Sequence, residues 1–455
     1  MTRRQRTLRT LRVVICVLIL IAGAWATLRV VLWRPFTVIE SPLQDRFTRV
    51  SGAVHAHTSV SDGGSMPEDV IAAARAAGLG YVIITDHNAF GAKPVEGYAG
   101  DLLVIVGTEI STRSGHILAF GLPEPGFRFS DDPLEVFEDI RDLGGVAVVA
   151  HPDSPRDDLR WRSADVPGAW GIELLNGDSQ WREANWTATV RGISTYALNP
   201  TYALLRVLSP PGETLDRWNR MLGARNVAML AGADAHGFPS YESMFEWAQN
   251  HVLLEQPLSG DALADTRAIV SGLQRGRAYV GLDALAPAIG FFFVAEQGDQ
   301  QWTMGDDVPV MPSPRLRAGG SLPRGATVSL IRNGHVVAEG AGHVDLPRAT
   351  AGVYRVEVHL PGWDVPWIIS NAIYVFDAHT HELRRRRSLL PSSAEAPAAI
   401  RILDDFESST AFESGYDPST VVARDIIDPQ PDRDRNRAAR LQFKLGAPAP
   451  GTPSP

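Results

Sequence analysis

The stretch SGAVHAHTSVSDGGSMPEDVIAAARAAGLGYVIITDH, residues 51–87, gives the clearest indication of the fold of this chain. GAVHAH and YVIITDH are short apolar runs that predict strands, and SMPEDVIAAARAAGLG between them predicts a helix. Ser65 suits the cap of that helix, Pro67 and Glu68 suit its first turn, and Gly78 suits its end. A strand, a helix and a second strand in this order predict a parallel βαβ unit.

The same alternation continues to about residue 285. Further strands are predicted at LLVIVGTE, HILAFGL, VAVVAH, WGIELLN and VAMLAGADAH, and further helices at DPLEVFEDIRDLGG and ETLDRWNRML. An insertion is expected around residues 153–226. We therefore predict an α/β fold with parallel strands over residues 51–285, a βα barrel of seven or eight units.

The rest of the chain has a different sequence pattern. Strands and turns over residues 287–377 predict a small β-sandwich, in which Asn333 and Gly334 suit a tight type I′ hairpin. Residues 378–399 are predicted to be a linker. Residues 400–455 are predicted to contain a possible β module fragment and a disordered tail.

The N-terminal region indicates where the protein resides. Residues 1–12 are rich in arginine, and residues 13–33 are apolar except for Arg29. This pattern predicts a transmembrane anchor or a signal sequence, with the basic end in the cytoplasm and the remainder of the chain outside. An uncleaved anchor is favoured over cleavage near Ala24 to Ala26, which would give a secreted protein.

Composition limits the possible functions. A length of 455 residues exceeds what one hydrophobic core usually supports, so we expect two domains or a large barrel with an appendage. The formal charge of -9, with no long basic run in the body of the chain, argues against binding to duplex nucleic acid. Because Cys16 is the sole cysteine, a metal would be held by histidine and carboxylate side chains.

Histidine and carboxylate residues recur at the ends of the predicted strands. Because the carboxyl ends of barrel strands meet at one mouth, these side chains are expected to form one cluster. Leaving buried polar groups without partners costs roughly 2 to 7 kcal/mol each, so such a cluster is expected around two or three divalent ions, zinc, manganese or iron. The members are His55, His57, Asp62, His87, Glu109, His116, His151, Asp234 and His236, with Glu109 as the expected bridge.

The motifs HAHTSVSDG, ITDHN, GTEIST, GHIL, AHPD and GADAHG, in this order over about residues 51–240, resemble the motif series of the PHP superfamily, named for polymerase and histidinol phosphatase. The resemblance implies a distorted seven-stranded βα barrel with a metal cluster at its mouth. It also implies three metal-ligand sets: His55, His57, Glu109 and Asp234; Glu109, His116 and His151; and Asp62, His87 and His236, with Asp62 where some members have histidine. The anchor, the tryptophan-rich insertion and the β module look most like a branch named for carbaryl hydrolases.

Two further residues are candidates for roles in the chemistry. Arg113 could neutralise a phosphate oxygen or form a surface salt bridge, and Asp153 could donate a proton to a leaving group or cap a helix. Weaker candidates to contact a substrate, each with a packing or turn role as the alternative, are Asn88, Asn176, Asp178, Trp161, Trp170, Trp181 and Trp186.

Three functions are compatible with these patterns. The leading hypothesis is a phosphoesterase that uses a metal-activated hydroxide on a small-molecule ester, most plausibly a phosphorylated one. Hydrolysis of a carboxylic ester or carbamate at the same site is the first alternative. The second is a surface protein that binds a glycan and has a non-catalytic barrel.

Overall fold

The structure is a computed structural model that describes residues 3–162, 169–389, 421–427 and 438–444. It consists of two compact units, residues 1–392 and 393–455. The helices are α1 Arg3–Val31, α2 Pro67–Ala76, α3 Pro133–Asp142, α4 Gly177–Glu183, α5 Trp186–Tyr196, α6 Pro200–Leu205, α7 Gly212–Ala224, α8 Tyr241–Trp247, α9 Ala262–Arg275 and α10 Ala378–Leu389. A short 3-10 helix spans Lys93–Val95.

The first unit begins with β1 Val38–Ile39, which pairs with a later strand, β17 Leu322–Pro323, in a separate two-stranded sheet. The mixed sheet on which the unit is built has as its first strands β2 Thr48–Ala56, β3 Tyr81–Ile84, β4 Gly97–Ala99, β5 Leu102–Val106, β6 Thr108–Thr112, β7 Gly115–Phe120, β8 Val146–Val149, β9 Gly171–Asn176, β10 Ala228–Ala235, β11 Gln249–Leu254 and β12 Ala278–Gly281. β2 pairs in parallel with β3, which pairs with β5. β5 continues into β6, and pairings β6–β7, β7–β8, β8–β9, β9–β10 and β10–β2 complete a ring. This mixed α/β architecture agrees with the sequence prediction.

The first βαβ unit, quoted above, forms at the predicted positions with one difference. Helix α2 is capped by Met66, and no side chain bonds to its first turn, so the predicted capping role of Ser65 is wrong. Pro67 occupies the first turn, and Gly78 follows the helix at φ +71°, a conformation that glycine adopts without strain.

The sheet departs from the parallel arrangement at β7. LLVIVGTE is two strands, β5 and β6, and β7 is antiparallel to both β6 and β8. The turn between Thr112 and Gly115 contains only two residues, too few for the crossover that parallel strands need. This short turn keeps the two strands side by side, and the side chains of Glu109 and His116 meet, with Glu109 Oε1 2.8 Å from His116 Nδ1.

The strands that follow the ring are β13 Phe291–Gln297, β14 Gln300–Thr303, β15 Asp307–Pro309, β16 Arg315–Gly320, β17 Leu322–Pro323, β18 Thr327–Arg332, β19 His335–Ala341, β20 Val344–Leu346, β21 Gly352–His359, β22 Ile368–Ser370 and β23 Ile373–Phe376. One sheet has the order β14-β13-β16-β20, while β22 pairs with β12 and so extends the sheet of the ring. Asn333 and Gly334 both have positive φ at the β18–β19 turn, which confirms the predicted hairpin.

Part of the predicted linker is ordered. Residues 378–389 form α10, and the side chains of His381 and Arg384 are buried. Arg384 donates to the carbonyl oxygen of Leu222 at 2.8 Å, so this helix packs against the end of α7. In the second unit, β24 Val421–Ile427 and β25 Ala438–Lys444 form an antiparallel pair, whereas the predicted tail at 445–455 lies outside the described residues.

Helix α1 contains an apolar segment, Arg12–Val31, that is long enough to cross a membrane. Most of its apolar side chains are exposed, which differs from the core helix of a soluble domain. The chain after α1 is tied to the first unit, because the Phe36 amide donates to the carbonyl oxygen of Leu285 at 2.8 Å.

Candidate metal centre

Nine side chains predicted as metal ligands meet at the end of the ring, and Glu109 lies at their centre. Its carboxylate is 1% exposed. Oε2 lies 3.2 Å from ring nitrogens of His55, His57 and His87, and Oε1 lies 2.8 Å from His116 Nδ1 and 2.9 Å from His151 Nε2. One carboxylate therefore contacts five histidines with both oxygens, the arrangement expected of a ligand that bridges metal ions.

Asp234, at the end of β10, is the second buried carboxylate of the cluster. Its Oδ1 lies 3.3 Å from His55 Nε2 and 3.4 Å from His57 Nε2. His55 Nε2, both ring nitrogens of His57 and Nδ1 of His151 are buried and have no hydrogen-bond partner. Because such atoms are costly to bury unpaired, the donor set fits bound cations.

The outer side of the cluster is formed by Asp62, His87 and His236. Asp62 is 55% exposed, and its two oxygens lie 3.6 Å from His87 Nε2 and 3.4 Å from His236 Nε2. His236 also stacks on His57, with ring centroids 4.2 Å apart. These four residues can share one cation.

Three smaller groups in the interior could each hold an ion. They are His55, His57 and Glu109; His55, His151 and Asp234; and His87, Glu109 and His116. Two of these groups differ from the sets that the resemblance implied, since they place His151 with Asp234 and His87 with Glu109 and His116.

Backbone strain is concentrated at the cluster. His55, Asp234, Asn88 and His151 have φ of 69°, 50°, 48° and 28°, in a region that non-glycine residues rarely adopt. Residues held this way cost about 1 to 3 kcal/mol each and occur preferentially at functional sites.

Without a metal ion, the electrostatics favour charged rings at His55 and His57. Burial lowers the pKa of the His57 ring, but the adjacent carboxylates of Asp234 and Glu109 outweigh burial and raise that pKa to about 9. The pKa of His55 is also raised, because burial is outweighed by the charges of Asp234, Glu173 and Glu109. Burial raises the pKa of Glu109, yet the adjacent rings, His55 first, hold that pKa well below its usual range.

These shifts predict opposite pH dependences for the metal-free and metal-bound states. Without metal, the raised pKa of His57 contributes stability that is complete below its ordinary pKa of 6.5 and is lost as the pH rises toward about 9. Metal binding requires neutral rings, so metal affinity should increase over the same range. We expect the chelated protein to melt at a lower temperature at pH 9 than at pH 6.5, and calorimetry in two buffers to show proton release on metal binding. An unchanged melting temperature with no proton release would contradict this prediction.

The cluster opens into a cavity of about 800 Å³. Besides cluster residues, its lining includes Arg156 and Arg182, which pair with Asp158 and Asp178. Sequence reasoning missed both arginines, because each belongs to the insertion and nothing in its local sequence indicates a position near the metal centre.

The two residues predicted to assist catalysis do not line this cavity. Arg113 is 61% exposed and forms an ion pair with Asp132, the capping residue of α3, which is the surface salt bridge given as the alternative. Asp153 bonds to Arg217 at 2.7 Å and lines a second cavity of about 340 Å³, which His151 also lines. The structure thus does not bring these two side chains to the cavity of the cluster, and their roles in the chemistry stay predictions.

Glu173 was not identified from the sequence, although it supports the cluster directly. It is buried in β9, and its Oε1 lies 2.7 Å from His55 Nδ1. Its Oε2 accepts a hydrogen bond from the backbone amide of His151 at 2.7 Å. The available signal was a charged residue in the middle of the apolar run GIELLN.

The weaker candidates divide between cavity and scaffold. Trp181 and Asp178 line the cavity. Asn88, in the loop after β3, bonds to Ser111 of β6, and Asn176 caps α4 and donates to Glu173. Of the other tryptophans, Trp161 packs beside Phe137, Trp170 packs on the core and Trp186 is exposed.

No family model matches the chain. Several solved structures resemble it, among them a two-domain protein containing a predicted PHP-like metal-dependent phosphoesterase from Bacteroides vulgatus (TM-score 0.36, 15% identity, 74% of this chain and 99% of that one) and an amidohydrolase from Chromobacterium violaceum with bound sulfate and no metal (TM-score 0.26, 16% identity, 41% and 87%). These TM-scores are too low to establish a shared fold.

One relative matches part of the chain more closely in sequence. The chain is 32% identical over 117 residues to uncharacterized protein MJ1587 of Methanocaldococcus jannaschii, a match that covers 22% of this chain and 67% of the archaeal protein. The chain therefore belongs to the same family as this archaeal protein.

Proposed function

We propose that the chain is a metal-dependent hydrolase of the PHP superfamily that acts on phosphate esters. The observation that carries the proposal is the contact of one buried carboxylate, Glu109, with five histidines beside a cavity. The motif series over residues 51–240 supports the same assignment. Two or three ions of manganese, zinc or iron suit a donor set of imidazole and carboxylate.

The burial of the ligands indicates which of them would hold each proposed ion. His55, His57, Glu109 and Asp234 would hold the interior ion or ions, and Asp62, His87 and His236 would hold an ion at the rim. When bound, such ions supply an activated water and polarise the phosphoryl oxygens. Ser111 and Thr112 line the cavity beside the cluster, where their hydroxyl groups could bond to a substrate oxygen.

Arg156 and Arg182 supply the positive charge that a phosphate substrate needs. Arginine pairs with phosphate through charge-assisted hydrogen bonds, and each of these side chains is paired with an aspartate at the cavity. A phosphate oxygen could exchange with those aspartates. This observation favours a phosphate ester over an uncharged carboxylic ester or carbamate, which the same metal site would also hydrolyse.

Replacing Arg182 by glutamine should separate these two substrate classes. We expect kcat/KM for a nitrophenyl phosphate diester to fall about tenfold, because a charge-assisted contact is lost, while hydrolysis of nitrophenyl acetate changes little. Arg113→Gln is the matched control, since that side chain lies outside the cavity. Equal losses for both esters would contradict the proposed phosphate contact.

The main test uses the full-length protein in detergent, loaded with manganese or zinc. Hydrolysis of nitrophenyl phosphate mono- and diesters is compared with that of nitrophenyl acetate and a naphthyl carbamate. Metal-dependent phosphate ester cleavage that is lost in His55→Ala supports the proposal. Cleavage of only the acetate or carbamate would assign the protein to the carbaryl-hydrolase type, and metal binding without turnover would favour the glycan-binding alternative.

The proposed location is the cell membrane, with the metal centre on the extracytoplasmic side. The support is the apolar segment of α1 and the arginines that precede it. Protease protection of right-side-out and inside-out vesicles tests the orientation, and the N-terminal sequence of the purified protein tests whether the segment is cleaved.

A further inference from the structure

The cavity at the metal centre has an apolar part beside its charged groups. We call it the α6 wall: it consists of Leu204 of α6, Val207 and Leu208 just after it, and Trp181, Phe238 and Met244. A small polar phosphate ester would leave this surface in contact with water. The combination of a charged end and an apolar wall fits a ligand that has both kinds of surface.

The same wall lies beside the end of helix α1. Asn199, the capping residue of α6, donates from Nδ2 to the carbonyl oxygens of Val30 and Trp33 at 3.2 and 3.3 Å. The rings of Trp33 and Tyr202 are 5.5 Å apart. α6 has six residues and is therefore about 9 Å long, so Leu204 near its C-terminal end links the cavity to the point where α1 ends.

The helix preceding α6 exposes a second apolar surface. Trp186, Val190 and Ile193 of α5 follow the spacing of one helical face and are 79%, 43% and 62% exposed. Leu198, just before α6, is also exposed. Tryptophan and aliphatic side chains on a helix next to an apolar anchor suit contact with the surface of a lipid bilayer.

We propose that the substrate is an amphiphilic phosphate ester, whose anionic group reaches the metal centre and whose apolar group packs against the α6 wall on the side of the molecule next to the membrane. This inference rests on the proposed phosphoesterase activity and on the proposed anchor. Lipid-embedded esters are the source that the position of α5 and α6 favours.

The first experiment measures how turnover depends on the apolar group. The full-length, manganese-loaded protein in detergent is assayed with the methyl, ethyl, propyl and butyl esters of nitrophenyl phosphate. We expect kcat/KM to rise by about threefold or more for each methylene, as apolar burial predicts. Equal values across the series would overturn the inference and leave the proposed function intact, whereas the absence of metal-dependent cleavage of every ester would overturn both.

A binding measurement gives an answer that does not depend on turnover. The affinities of methylphosphonate and butylphosphonate for the manganese-loaded protein are compared by calorimetry, and equal affinities would overturn the inference.

In the series of esters, Phe238→Ala should lower the ratio of kcat/KM for the butyl ester to kcat/KM for the methyl ester, since Phe238 lines the cavity and is 78% exposed. Phe127→Ala, an exposed aromatic outside the cavity, is the matched control.

A third experiment tests whether the substrate enters the cavity from the lipid bilayer. The double variant Trp186→Ser and Ile193→Ser is reconstituted in phosphatidylcholine vesicles that contain dodecyl nitrophenyl phosphate. We expect its rate on the embedded ester to fall at least about fivefold relative to its rate on the butyl ester in solution, because two apolar anchors at the interface are lost. An unchanged ratio, equal to that of the control Ile289→Ser, would show that the substrate is taken from solution.

Discussion

Replacing Glu109 by glutamine is expected to remove both metal binding and turnover. The substitution keeps the size of the side chain but removes the charge that contacts five histidine rings. Glu109 would hold the proposed ions together, so with its charge removed we expect metal content to fall by at least one ion and kcat to fall by about 1,000-fold or more. Metal analysis after gel filtration and the ester assay described above measure the two effects.

The same substitution should destabilise the metal-free protein. The charged rings around Glu109 would lose their main counter-charge, and removing one partner of a buried ion pair costs about 3 to 5 kcal/mol. Glu138→Gln is the matched control, because that side chain is exposed on α3. If E109Q retained a full metal complement and normal turnover, the central role of Glu109 would be refuted.

The second large effect is expected at Glu173, which contacts the cluster without belonging to the proposed ligand set. Its carboxylate fixes the ring of His55 through Nδ1 and the backbone of His151 through the amide. Loss of such supporting partners typically costs 10- to 100-fold in metal affinity or activity. We therefore expect Glu173→Gln to weaken metal binding by about that factor, as measured by competition with a chelating indicator.

A second substitution should displace the same carboxylate while Glu173 itself is kept. A Cβ added at Gly232 in β10 would lie 1.7 Å from Glu173 Oε1, so Gly232→Ala must displace that side chain. Gly223→Ala in α7 is the control, since an added Cβ there meets nothing within 4 Å. Gly232→Ala should reproduce the weaker metal affinity of Glu173→Gln, and metal affinity at the parental level in both variants would contradict a supporting role for Glu173.

Local patterns predicted many of the elements, although α10 lies in the predicted linker and LLVIVGTE forms two strands. HAH at the end of β2 and DAH at the end of β10 place histidine and carboxylate residues immediately after apolar strands, and the ring brings those ends together. The prediction of a His and carboxylate cluster needed only strand periodicity and the convergence of strand ends.

The positions of some residues depend on partners that are distant in the chain. Asp153 follows His151 closely in the chain, yet Arg217 of α7, 64 residues away, holds it in a separate cavity. Arg113 lies on the turn after β6, where Asp132 pairs with it away from the cavity. No local pattern contains these pairings, because the strength of an ion pair depends on distance in space and not on separation along the chain.

The order of apolar runs and polar residues along the chain thus indicated an α/β fold with histidines and carboxylates at its strand ends. Periodicity and turn residues determine local structure over only a few positions, so they can be recognised in the sequence. The closure of the ring through the antiparallel strand β7 required the folded structure. So did the placement of Glu173 behind His55, and of Arg156 and Arg182 in the cavity. The reason is physical: these contacts join segments far apart in sequence, and packing of the whole unit selects among the many pairings that local propensity allows.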